Sequence, residues 1–262
     1  MKLCRTIQRW LPCLLAAPLF AQPQIGGGTC NSATLNGVYS LTLAGRDLSS
    51  SVSFSNVLQG IGTATFDGLS KVTLNLTNNT NKLAGQAQTW SGTYSLQSNC
   101  IGAVTITTGD TASFTLGAYD SGEGYFITGQ DGVYSLLGSG NTQPTSTCST
   151  STLSGVYQFN ANGFGLSSGA ISGVNQLSGL VTFDGAGNLT ANFVLSISGA
   201  STPAAASGSY SVTTSCTATA TLTDPLGDKY ALVFTITTAN GSNFIVSAAS
   251  PILMFSGSGR TL

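Results

Sequence analysis

Apolar and polar residues alternate with a period of two along most of this chain. Val72, Leu74 and Leu76 alternate with Thr73, Asn75 and Thr77, and Val104 and Ile106 alternate with threonines. Phe193 and Leu195 alternate with Asn192, Val194 and Ser196, while Val233, Thr235 and Thr237 alternate with Phe234, Ile236 and Thr238. Side chains that change face at every residue are the mark of strands with one buried face. Helical periodicity is absent beyond the first twenty or so residues. The pattern predicts strands near 36–45, 56–66, 70–78, 83–96 (with a possible break near Thr89), 101–108, 111–119, 123–129 and 133–139. A second set is predicted near 154–163, 173–183, 187–198, 204–213, 217–223, 229–238, 242–248 and 251–258. Asp67-Gly68, Asp131-Gly132, Asp184-Gly185 and Asn240-Gly241 supply turn chemistry between them.

The two sets are copies. Gly92-Thr93-Tyr94-Ser95-Leu96-Gln97-Ser98-Asn99-Cys100 returns as Gly208-Ser209-Tyr210-Ser211-Val212-Thr213-Thr214-Ser215-Cys216. Leu35 to Leu41 matches Leu153 to Phe159, Phe66-Asp67-Gly68 matches Phe183-Asp184-Gly185, and Tyr125-Phe126-Ile127 matches Asn243-Phe244-Ile245. The spacing drifts only between 116 and 118 residues, the length of a whole domain. The expected plan is a loose lead at 22–29, a first repeat at 30–140, a polar linker at 141–147 and a second repeat at 148–262. Eight consecutive strands with short connections can close into an up-and-down antiparallel barrel, which removes free edges. The predicted fold is therefore all-β, with two tandem eight-stranded barrels; β-sandwiches are the alternative.

Composition adds location. Lys2, Arg5 and Arg9 precede an apolar run from Trp10 to Phe20 that is too short to span a bilayer, which predicts a signal peptide over 1–21 with cleavage near Ala21. After cleavage five basic residues face nine acidic ones, a net charge of minus four. No basic patch remains, which argues against nucleic acid as a partner. Nothing later in the chain reads as a transmembrane helix. Charged residues make up only 6% of the chain, and Gly, Ser, Thr and Asn fill the polar positions. Four cysteines remain after cleavage, an even number in an exported chain. Cys30 and Cys148 precede the first strand of their repeats, and Cys100 and Cys216 follow the fourth. A repeat that folds by itself carries its own bridge, so the expected pairs are Cys30–Cys100 and Cys148–Cys216.

Leu-x-Gly-x-Tyr, then Phe-Asp-Gly-x-Gly-Asn-Leu-Thr at Phe183 to Thr190, then Gly-x-Tyr-x-Val with a cysteine at Gly208 to Cys216, resembles a group of uncharacterised secreted β-proteins of environmental bacteria of the Acidobacteria kind. Both halves carry the pattern, although Leu69-Ser70-Lys71 stands in the first where Ala186-Gly187-Asn188 stands in the second. The resemblance implies export and duplication and assigns no site. The strand plan is also similar to the calycins and avidins, without the lipocalin Gly-x-Trp signature or the avidin tryptophan set.

Candidate chemistry is sparse. The chain has no histidine, and paired cysteines leave no thiolate, so no metal site, cofactor or catalytic set is expected. Asp67 and Asp184 stand at equivalent positions before glycine, where turn formation is the ordinary role. Asp120, Glu123 and Asp131 could hold calcium only if the fold brought them together. Tyr39, Tyr94, Tyr157 and Tyr210 recur in both halves and are the candidate ligand-binding residues; core packing with the hydroxyl at the rim is the commoner use of such residues. The expected role is an exported, non-enzymatic protein that binds or builds at the cell exterior, with a small apolar ligand or a cell-surface component as partner. The alternatives are a carrier with an apolar ligand inside a calycin-like barrel, and a carboxylate-based hydrolase or isomerase. A cavity of a few hundred cubic ångström separates the carrier from a filled structural module.

Overall fold

The computed structural model describes residues 29–48, 56–250 and 252–262. The predicted signal segment and nearly all of the lead lie outside them. The described chain forms two closed barrels in tandem. The first consists of β1 (Asn36–Asp47), β2 (Val57–Asp67), β3 (Lys71–Thr80), β4 (Gln86–Leu96), β5 (Ile101–Thr108), β6 (Ala112–Tyr119), β7 (Gly124–Gln130) and β8 (Tyr134–Asn141). The second consists of β9 (Ser154–Ser167), β10 (Ala170–Asp184), β11 (Asn188–Ile197), β12 (Ala200–Val212), β13 (Thr217–Thr223), β14 (Lys229–Ile236), β15 (Asn243–Ala249) and β16 (Leu253–Thr261). Each strand pairs antiparallel with the next, and β1 with β8 and β9 with β16 close the rings. The sandwich alternative is thereby excluded.

Two strands differ from the sequence reading. β4 does not break near Thr89; it carries a bulge between Ser91 and Gly92 against β5 and stays paired to β3 from Gln86 to Thr93. β12 begins earlier than its apolar pattern suggests and runs through Pro203. Pairing with β13 starts only at Ser207, so Pro203 sits where the strand has one neighbour, β11. A residue without an N–H is tolerated at such a half-paired position.

One end of each barrel is sealed. The bridges Cys30–Cys100 and Cys148–Cys216 form as the repeat implied. They tie a short 3-10 turn (Ser32–Thr34, Thr150–Thr152) to the β4–β5 and β12–β13 turns. Tyr39, Phe66, Tyr94 and Tyr125 pack edge to face beneath the first turn, with ring centroids 4.9 to 5.7 Å apart. Tyr157, Phe183, Tyr210 and Phe244 repeat the cluster in the second barrel. Gly92 and Gly208 allow the close approach of the neighbouring strand, since a Cβ would overlap the carbonyl of Thr105 or Thr221.

The barrels lie side by side, with β2 against β14, β15 and β16. Val57, Leu166 and Met254 form a small buried apolar cluster across the junction. Phe164 and Ile171 pack against it, and hydrogen bonds cross the seam beside it. Asn79 Nδ2 donates to Ser247 Oγ (2.9 Å), Asn81 Nδ2 to the Gly169 carbonyl (2.9 Å) and Gln59 Nε2 to the Asn162 carbonyl (3.2 Å). Asn81 lies in the β3–β4 turn and Gly169 in the β9–β10 turn, while Leu166 and Met254 flank the β9–β10 and β15–β16 turns. Both barrels therefore point their sealed ends the same way.

Candidate functional site

The interiors of the two barrels differ. In the first, Trp90 on β4 faces Leu74 on β3, and both are buried. The Trp90 indole N–H donates to Gln88 Oε1 (3.2 Å), which also accepts from Asn78 Nδ2 (2.7 Å). This polar network links the buried indole to the exposed Gln88 and to Asn78 on the neighbouring strand.

Register identifies the matching positions in the second barrel. Val72 pairs with Gly92, and Leu189 pairs with Gly208; counting from these anchors, Ala191 and Ala206 take the places of Leu74 and Trp90. Ala204 replaces Gln88, and Leu195 replaces Asn78. The large pair becomes two methyl groups, and the polar network becomes apolar surface. The result is a cavity of about 430 Å³ inside the second barrel. Phe234 and Phe244 form its floor above the sealed end, and Val181, Leu189, Phe193 and Leu232 are among its walls. Its other end reaches Asp224, Pro225, Leu226 and Asp228 of the β13–β14 loop, where the highly exposed Leu226 marks the mouth.

Polar groups collect at that mouth. Asp224 accepts hydrogen bonds from the backbone N–H groups of Leu226 and Asp228, each 2.9 Å, and from the Tyr230 hydroxyl at 3.1 Å. Burial first, and the hydrogen bond to Asp224 second, push the Tyr230 phenol up to about 12. Tyr230 is therefore a neutral donor that fixes the loop over the cavity. The site offers a long apolar chamber with carboxylates at its entrance, a form suited to holding an apolar molecule.

The four candidate tyrosines do not line this cavity. Tyr39 and Tyr157 donate to the Gly122 and Gly241 carbonyls at 2.8 and 2.9 Å. Tyr94 donates to the Ser32 and Leu35 carbonyls, and Tyr210 to those of Thr150 and Leu153. Burial raises the phenol pKa of all four, that of Tyr94 to about 12. Tyr94 and Tyr210 lock the 3-10 turns onto the barrel floors, and Tyr39 and Tyr157 tie down the β6–β7 and β14–β15 turns, which is the packing role.

The carboxylates are turn formers. Asp67 Oδ1 accepts from the N–H groups of Leu69, Ser70 and Lys71, and these bonds hold its carboxyl below the usual range. Asp184 accepts from the Asn188 side chain and from the Ala186 and Asn188 N–H groups, and its pKa falls to about 2. Asp131 binds the Val133 and Tyr134 N–H groups in the β7–β8 turn. Asp120 and Glu123 flank the turn at the other end of β7, so the acidic trio does not meet. Among the described residues no group of three or more His, Cys, Asp or Glu side chains is placed to hold a metal ion, and no helix is long and apolar enough to cross a membrane.

Sequence reasoning left open whether either interior is hollow, because it compared the repeats by their matches. The signal lay in a mismatch, Thr202-Pro203-Ala204-Ala205-Ala206 standing where the first repeat has Gln86-Ala87-Gln88-Thr89-Trp90. The chain matches no protein-family model and no curated protein.

Proposed function

We propose that this protein is an exported carrier that holds one small apolar molecule inside its second barrel, with the first barrel as a filled structural partner. The observation that carries the reading is the exchange of Leu74 and Trp90 for Ala191 and Ala206, which opens about 430 Å³ of apolar space in one copy of a duplicated fold. That volume falls within the range of small-molecule sites. An enclosed apolar chamber removes most of a ligand's surface from water, which supplies the binding free energy. Asp224 and Asp228 at the mouth favour a neutral or cationic polar end and oppose a carboxylate or sulfate.

Two disulfides fit an oxidising compartment, and the basic and apolar segment at 1–21 supports export with cleavage near Ala21. The eight-strand up-and-down plan with an apolar interior supports the likeness to calycins. The carboxylates that line the cavity, Asp224 and Asp228, stand at its mouth and away from its apolar floor.

Titration with N-phenyl-1-naphthylamine, an uncharged apolar dye that brightens out of water, tests the reading. One equivalent binds the wild-type chain, and Ala206→Trp, which restores the first barrel's filling, abolishes the signal. A wild-type chain that leaves the dye dark, or an Ala206→Trp chain that binds it unchanged, overturns the proposal.

A further inference from the structure

The turns at the two ends of the molecule differ in character. The sealed ends hold six turns between the strands, and Leu69 is the one exposed large apolar residue in them; Leu262 is exposed at the chain terminus nearby. At the opposite ends, Leu48, Leu83 and Val133 stand in or beside the β1–β2, β3–β4 and β7–β8 connections. Ile197, Leu226 and Ile252 stand at the β11–β12, β13–β14 and β15–β16 connections. These six residues are between 46% and 90% exposed. The Asn81–Gly169 bond and the Val57–Leu166–Met254 cluster set both barrels in the same direction, so all six tips share one face of the molecule. The cavity opens on that face beside Leu226.

We propose that this face docks on an uncharged or zwitterionic lipid surface, where the second barrel exchanges its apolar cargo. Exposed apolar residues also stand singly on the strand faces, Val38, Leu137 and Val174 among them, as is ordinary; of the seven in or beside the turns, six lie at one end. The tips are separate points carried by different hairpins, among Ser, Thr, Gly and Asn. Such points insert singly between lipid headgroups, whereas a protein partner requires a continuous complementary patch. Charge selects the lipid. Asp47, Asp110, Asp131, Asp224 and Asp228 lie at these connections against Arg46, Lys82 and Lys229, an excess of two negative charges that disfavours an anionic surface. Docking there places the mouth against the acyl chains, so an apolar molecule enters without crossing water.

Vesicle flotation with the full chain and pure phosphatidylcholine tests the proposal. The expected result is binding that does not weaken at high salt and that falls by about a hundredfold or more in Leu83→Ser/Val133→Ser/Ile197→Ser/Ile252→Ser, from the burial each apolar tip loses. That variant spares Leu226 and the cavity wall, so it still binds the naphthylamine dye in solution, which also reports that it is folded. Leu69→Ser, at the sealed end, binds vesicles as the wild type does. Leu226→Trp, which needs no loss of binding, shifts its emission to the blue when vesicles are added. Absence of flotation, flotation on phosphatidylglycerol vesicles alone, flotation untouched by the quadruple change, or a soluble dimer that the quadruple change disperses would each overturn the docking face. Vesicle binding is read without cargo, so it can fail while the carrier reading stands.

Discussion

The interiors of the two barrels diverge at single positions. Trp90 fills the first interior and Ala206 empties the second on the same backbone plan. Trp90→Ala should therefore cost about 3–5 kcal/mol of stability, the range for a large buried side chain truncated to alanine, and should create weak dye binding in the first barrel. Denaturant titration and dye fluorescence check the two effects; a neutral change would show that the indole is not packed. Asp184 carries a pH effect whose sign follows from its hydrogen bonds. Its carboxyl is held at about 2 in the folded chain, below the ordinary 3.8. The unfolded chain thus takes up the proton first as acid is added. The stabilisation is complete above pH ~4 and fades as pH falls towards ~2. Asp184→Ala should flatten that part of the thermal-midpoint profile, which melts at stepped pH would show.

The hairpin is the element from which both barrels are built, and most of it was legible in the sequence. Alternation placed the strands because each has one face inward, and Asp-Gly or Asn-Gly marked turns that need a positive φ, as at Gly68 (+75°) and Gly185 (+74°). The cysteine pairs were legible because the repeat left each half one partner. Closure into barrels was legible only as a preference, since the β1–β8 and β9–β16 pairings join strands far apart in sequence. The cavity was not legible, because a period-two pattern records which face is inward and not how much of the inside is filled. Ala204 and Ala206 point inward as Gln88 and Trp90 do. Each bridge ties the start of its unit to the turn after the fourth strand: Cys148–Cys216 spans 68 residues, and the chain-entropy model assigns such a loop about 4 kcal/mol. Cys148→Ala/Cys216→Ala should lower the denaturant midpoint of the second barrel and leave that of the first nearly unchanged.

At the scale of the molecule, two similar barrels share a seam that the sequence did not announce. Its residues, among them Asn79, Asn81 and Ser247, look like solvent-face polar groups until the partner barrel covers them. Each barrel still has its own aromatic floor, its own bridge and its own closed ring. A chain of 148–262 alone should therefore fold, but with a lower calorimetric midpoint than in the full protein, because Met254 and Leu166 return to water and the Asn79–Ser247 and Asn81–Gly169 bonds are lost. An unchanged midpoint would mean that the seam contributes no stability.

The hollow interior also has a volumetric consequence. Unfolding eliminates internal voids, so hydrostatic pressure favours the unfolded state more for a hollow fold than for a filled one. The two barrels share a strand plan and differ at the Leu74/Trp90 and Ala191/Ala206 pairs, so compression discriminates between them where heat acts on both alike. The second barrel should yield first as pressure rises, with the larger volume change. Ala206→Trp should raise its transition pressure towards that of the first, and so should any molecule that occupies the chamber.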